Sequence, residues 1–69
     1  MAMALDEKLA RAVAWAPTDD VYFPWSAQVD GAPWRVRIND FPDEPMYSLE
    51  IDGDIVGDFN DWPVQWTRP

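Results

Sequence analysis

The acids between Asp52 and Asp61 come nearest to a chemical pattern in this sequence. Asp52, Asp54, Asp58 and Asp61 recur at short intervals, as carboxylates do around calcium, a hard cation that takes about six to eight oxygen ligands. Read as a calcium loop of the helix–loop–helix type beginning at Asp52, the run puts Gly57 at the obligatory turn. Val56 then stands at a ligand position, however, and Pro63 replaces the bidentate glutamate. The spacing therefore predicts no metal site. A weak cation or small-ligand site on Asp52, Asp54 and Asp58 ranks third among the functions considered below.

A general acid and base drawn from Asp40, Asp43, Glu44 and Glu50 would need two carboxyls with separated pKa values inside a cleft. A chain of 69 residues whose ten aromatic side chains belong to one core has little volume left for one. It also has no histidine and no cysteine. Thr18, Ser26, Ser48 and Thr67 thus lack the usual general base, no thiolate nucleophile exists, and the common zinc ligands are missing. There is no glycine-rich phosphate loop either. The sequence predicts a protein that is not an enzyme, with no catalytic residue and no cofactor.

What remains is surface for binding. Five tryptophans are many for a chain of this length. Trp25 and Trp34 fall at core positions, whereas Trp15, Trp62 and Trp66 lie near element ends or in the tail. There they either close the core or form an exposed patch ringed by Asp58, Asp61 and Arg68. Tyr22, Ser26, Arg35, Arg37 and Asn39 share the solvent face of a hairpin, and arginine and tyrosine are enriched at interface hot spots. Alternatively, Arg35 and Arg37 pair with Glu50 or other acids across the sheet and do nothing else. The residues expected at an interface are Tyr22, Arg35, Arg37, Val56, Trp62 and Trp66.

Thirteen acids against five basic residues leave a net charge of −8. Phosphate backbones and anionic lipid repel such a chain, so neither nucleic acid nor a membrane is expected as partner, whereas a basic protein is. Acidity also keeps a small domain soluble without further purpose. Asp6, Glu7, Lys8 and Arg11 interrupt the N-terminal segment, which argues against a secretion signal or a spanning helix. A cytoplasmic location is expected, and the lack of cysteine agrees with it.

The elements that must position these groups follow from periodicity. Leu5, Leu9, Ala12, Val13 and Ala16 recur at helical spacing and predict a helix over about 4–16, ended by Pro17. Strands are predicted over about 21–29, 33–39, 46–51 and 55–59, where apolar and polar residues alternate. Asp30-Gly31 predicts a two-residue turn that sets Ala27 opposite Trp34, Trp25 opposite Val36 and Phe23 opposite Ile38, all apolar and on one face. Pro24 should make the strand over 21–29 a sheet edge.

For the second hairpin, a two-residue loop at Asp52-Gly53 would put Val56, Asp54 and Asp58 on the apolar face. A three-residue loop, Asp52-Gly53-Asp54, is expected instead, with Asp54 left-handed. It pairs Ile51 with Ile55, Leu49 with Gly57 and Tyr47 with Phe59, and sends Val56 to the other face. In the tail, 60–69, Asp61 and Pro63 could begin one helical turn.

The expected fold is α+β, one domain over 1–69: a helix packed on one face of a four-stranded antiparallel meander, with a short aromatic tail closing the core. The expected function is a non-enzymatic protein–protein interaction module. Its partner is another protein or a second copy, bound through a sheet face, through an edge such as the last strand, which carries no proline, or through the tail. An immunity- or antitoxin-like inhibitor of a basic protein such as a nuclease is the alternative, its acids from Asp40 to Asp61 filling the basic site.

Overall fold

The computed structural model describes residues 5–68, so the expected helix start at residue 4 and the tail residue 69 lie outside the described residues. In chain order the elements are α1 (Leu5–Leu9), β1 (Val13–Ala14), β2 (Ala16–Pro17), β3 (Trp25–Val29), β4 (Ala32–Ile38), β5 (Tyr47–Ile51), β6 (Asp54–Phe59) and β7 (Trp66–Thr67). The main sheet is antiparallel and five-stranded, in the order β2-β3-β4-β5-β6, and β1 pairs with β7 in a separate parallel ladder. The chain is therefore mostly sheet. Its helix is far shorter than expected, and the main sheet has five strands instead of four.

Residues 13–17 explain both corrections. Val13 and Trp15 are buried while Ala14, Ala16 and Pro17 are exposed, a period of two that coexists in this run with the helical spacing. An isolated short helix is marginal in water, and extending this one would have kept Trp15 from its partners. The chain leaves the helix with a tightened turn, Arg11 N–H donating to the Lys8 carbonyl, and becomes extended. Pro17 favours that, because the residue before a proline is biased toward β. β2 then pairs with β3, Ala16 opposite Ser26 and Pro17 opposite Trp25. The sheet edge is thus β2, where a proline is tolerated, and not the strand guarded by Pro24.

The first hairpin has the expected register, with Val29 opposite Ala32, Ala27 opposite Trp34 and Trp25 opposite Val36. Asp30 and Gly31 have φ of 53° and 81°, the paired positive values of a type I′ turn. The strand starts later than expected, however. Residues 21–23 form a loop, and Ile38 meets it only through its N–H, which donates to the Tyr22 carbonyl at 2.9 Å.

The second hairpin differs from the expectation. Asp52 and Gly53, at φ 52° and 86°, form a two-residue turn of the same kind, and Asp54 is paired opposite Ile51 within β6. Glu50 lies opposite Ile55, and a bulge follows, so that Leu49 is opposite Gly57 and Tyr47 opposite Phe59. The extra residue is Val56. The pairs Leu49–Gly57 and Tyr47–Phe59 agree with the sequence, whereas Ile51–Ile55 does not.

One face of the sheet holds the core. Trp34, Val36, Tyr47, Leu49 and Phe59 are buried there beneath Val13, Trp15 and Trp66. The tail makes the single turn expected after Asp61, the Trp66 N–H donating to the Pro63 carbonyl at 3.0 Å, but no helix among the described residues. It returns as β7, Val13 opposite Trp66 and Ala14 opposite Thr67, and the Trp15 N–H donates to the Thr67 carbonyl at 2.8 Å. Trp15 and Trp66 pack with ring centroids 4.9 Å apart and planes inclined at 59°, and Phe59 stands perpendicular to Trp66 at 5.4 Å. The indole N–H groups of Trp15 and Trp66 reach no acceptor among the described residues, a cost of about 1–3 kcal/mol each that aromatic burial outweighs. The short α1 reaches the same face through Leu5 and Leu9. A Cβ on Gly57 would lie 2.6 Å from a Leu5 methyl, so the glycine admits Leu5 to the sheet.

Candidate protein interface

The opposite face of the sheet is polar and tightly paired. Arg35 on β4 lies opposite Glu50 on β5, and its Nε and Nη2 donate to the two carboxylate oxygens at 2.6 and 2.9 Å. This bidentate geometry is the strong form of an arginine–carboxylate contact. Glu50 is only 8% exposed, and a buried carboxylate persists when it is paired in this way. The hydrogen bonds to Glu50 hold the Arg35 guanidinium above its already high ordinary pKa, against a smaller opposing effect of burial. Arg35 therefore stays charged and locked. The alternative considered from sequence, pairing across the sheet, is what the structure contains at this residue.

Phe23 completes the group. Its ring lies 3.9 Å beneath the Arg35 guanidinium, on the polar face and not opposite Ile38 in the core. The loop before β3 redirects it. Thr18 Oγ1 accepts from the Asp20 N–H, Asp20 Oδ1 accepts from the N–H groups of Tyr22 and Phe23, and Thr18 N–H donates to the Pro24 carbonyl. These bonds break the alternation before the strand begins.

Among the described residues Arg37 reaches no acid. It donates to Asn39, whose amide donates to Ser48 Oγ at 2.8 Å, and the Ser48 hydroxyl donates to Asp58 Oδ1 at 2.6 Å. The chain of bonds ties β5 and β6 to the end of β4. Ser48 is buried with its hydroxyl held by Asp58, and the network joins the three strands.

Of the six expected interface residues, the structure leaves Tyr22 and Val56 exposed, half-buries Arg35, Arg37 and Trp62, and buries Trp66 to 3% exposure. Trp66 cannot meet a partner while the fold is intact. Trp62 packs against the core and donates its indole N–H to the Trp66 carbonyl at 3.0 Å. Sequence reasoning missed Ile55, which is 52% exposed beside Val56. Asp54 and Asp58 demand one extra residue before Phe59, and placing it as a bulge after Ile55 instead of in the loop is what exposes Ile55.

β6 is an open edge: it pairs with β5 on one side and with nothing on the other among the described residues. Along it Asp54 and Asp58 flank Ile55 and Val56, with Asp52 in the turn before and Asp61 just after, all four acids exposed. The opposite edge, β2, is two residues long and contains Pro17.

Among the described residues no group of three or more acidic side chains converges to hold a metal ion, so Asp52, Asp54 and Asp58 make no cation cage. A cavity of about 190 Å³ lies between α1 and the first turn, floored by Val29, Trp34 and Ile51. Arg11 and Asp30 form an ion pair at 2.7 Å on its rim. It is smaller than the roughly 300–1,000 Å³ of typical ligand sites. No helix among the described residues is long and apolar enough to cross a membrane. Comparison with protein-family models, with curated proteins and with solved structures finds no match for this chain.

Proposed function

We propose that this chain is a non-enzymatic protein-interaction module, acting in the cytoplasm, that takes an extended basic segment of another protein along the outer side of β6. The observation that carries the proposal is the composition of that edge: backbone unpaired among the described residues, with Asp54 and Asp58 on either side of exposed Ile55 and Val56. Addition of a strand to an open edge draws affinity from main-chain hydrogen bonds and specificity from the side chains that alternate along it. A partner strand with Lys or Arg opposite the acids and an apolar residue between them matches both features. Attraction between a chain of charge −8 and a basic segment speeds encounter and weakens with salt.

The same charges disfavour a second copy in this place. Two such edges side by side would gather Asp54 and Asp58 of both copies along one seam, and like charges brought close together are destabilising. An immunity-like role is one use of the proposed edge, with a basic enzyme as the partner.

The test is an amide NMR titration with a peptide of alternating lysine and valine at low and high salt. Shifts confined to 54–59, diminished by salt and by Asp54→Lys, are expected. Shifts elsewhere, or none at low salt, would count against the proposal.

A further inference from the structure

Among the described residues, three of the four arginines reach oxygen acceptors, Arg11 at Asp30, Arg35 at Glu50 and Arg37 at Asn39. Arg68 instead lies over ring faces. Its guanidinium carbon is 4.2 Å from the centroid of Trp62 and 5.1 Å from that of Trp25. The two indoles are 4.9 Å apart and inclined at 60°, so they form a corner, and Tyr47 stands behind both at 5.6 and 6.2 Å.

The corner is held in shape without Arg68. Trp25 is fixed within β3 between Pro17 and Val36, and the Trp62 ring plane is set by its hydrogen bond to the Trp66 carbonyl. Both rings are half-buried and Arg68 is exposed, so the occupant can leave while the walls stay. Aromatic faces attract weakly hydrated cations, and a guanidinium, being planar, stacks on them as an ammonium cannot.

We infer that the corner between Trp25 and Trp62 is a recognition site for a guanidinium group, which Arg68 fills in the free protein and which an arginine side chain of a basic partner takes in its place. The exchange replaces one guanidinium by another on the same two faces, so little intrinsic affinity is lost. The hold of Arg68 at such an exposed site amounts to about a two- to fivefold effect on an equilibrium. The net charge of −8 adds a field that draws in the incoming cation. This inference stands apart from the β6 edge and does not require it.

The experiment is a titration of the full chain and of Arg68→Ala with N-acetylarginine amide, followed by the indole N–H resonances in NMR, with N-acetyllysine amide as comparison. Saturable shifts of the Trp25 and Trp62 indoles are expected, with those of Trp15, Trp34 and Trp66 unmoved. Binding to Arg68→Ala should be about two- to fivefold tighter than to the unaltered chain, and arginine should bind more tightly than lysine. The unaltered chain decides the matter even if the variant does not fold, because added arginine must then compete with Arg68 and shift the same two indoles at higher concentration. Absence of a saturable shift in the unaltered chain, or shifts spread equally over all five indoles, overturns the inference.

Discussion

The two hairpins turn on the same dipeptide with nearly the same backbone angles, yet only the first is regular. After Asp30-Gly31 the alternate residues Ala32, Trp34, Val36 and Ile38 all belong to the apolar face, so the register that the turn imposes is also the one burial wants. After Asp52-Gly53 the same count would place Val56 opposite Leu49 and Asp58 opposite Tyr47. Moving an unpaired carboxylate into that core costs several kcal/mol, whereas interrupting a ladder at one residue forfeits about 0.5–1.5 kcal/mol of hydrogen bonding. The backbone yields. One bulge after Ile55 restores Gly57 and Phe59 to the core and leaves Asp58 with Ser48. Turn chemistry decides how the chain reverses, and burial decides which residues end up opposite one another.

That contrast is open to direct attack. Its largest consequence is that two valines in adjacent hairpins should respond differently to the same change. Val36 is 0% exposed and Val56 42%, so Val36→Ala should lower stability by about 2–3 kcal/mol and Val56→Ala by less than about 0.5 kcal/mol. Urea unfolding of both variants decides it, and equal losses would mean that Val56 is core and the bulge misplaced.

The turns themselves should behave alike. Gly31→Ala and Gly53→Ala each force an alanine to φ above 80° and should each cost about 1–2 kcal/mol. A marked difference in their thermal midpoints would show that the turns are not equivalent. Deleting Val56 should change stability by no more than about 1 kcal/mol, because the pairs Leu49–Gly57 and Tyr47–Phe59 then follow from the two-residue turn without a bulge. Loss of the bulge would also straighten the β6 edge, and light scattering should detect more self-association than in the unaltered chain.

The same comparison explains what could be read from the residues alone. The first hairpin was legible because local turn chemistry and alternation agree. In the second, alternation correctly demanded an odd residue but could not choose between a longer loop and a bulge, since both return Phe59 to the core. The run Ala12 to Pro17 satisfied two periods at once, and the deciding partner, Trp66, lies far away in sequence. Phe23 obeyed the alternation on paper, but Thr18 and Asp20 bond the loop in a way that turns its ring toward Arg35. Along β6 the exposure of Val56 was read from register, whereas Ile55 was placed on the wrong face by the longer loop. Trp66 looked like a tail residue because nothing nearby announces a parallel ladder.

That ladder also governs the order of assembly. Thr67 and Val13 touch across 54 positions of sequence, and Trp66 sits against Trp15 at the centre of the aromatic layer. Contacts between residues so distant in sequence are slow to form, since closing the long loop costs entropy before the contact returns it. On a ribosome, where synthesis proceeds at about 5–20 residues per second, the hairpins can form as they emerge. The tryptophan layer must wait for residue 66 to leave the exit tunnel, so the aromatic packing around Trp15 is the last part of the core that synthesis makes available.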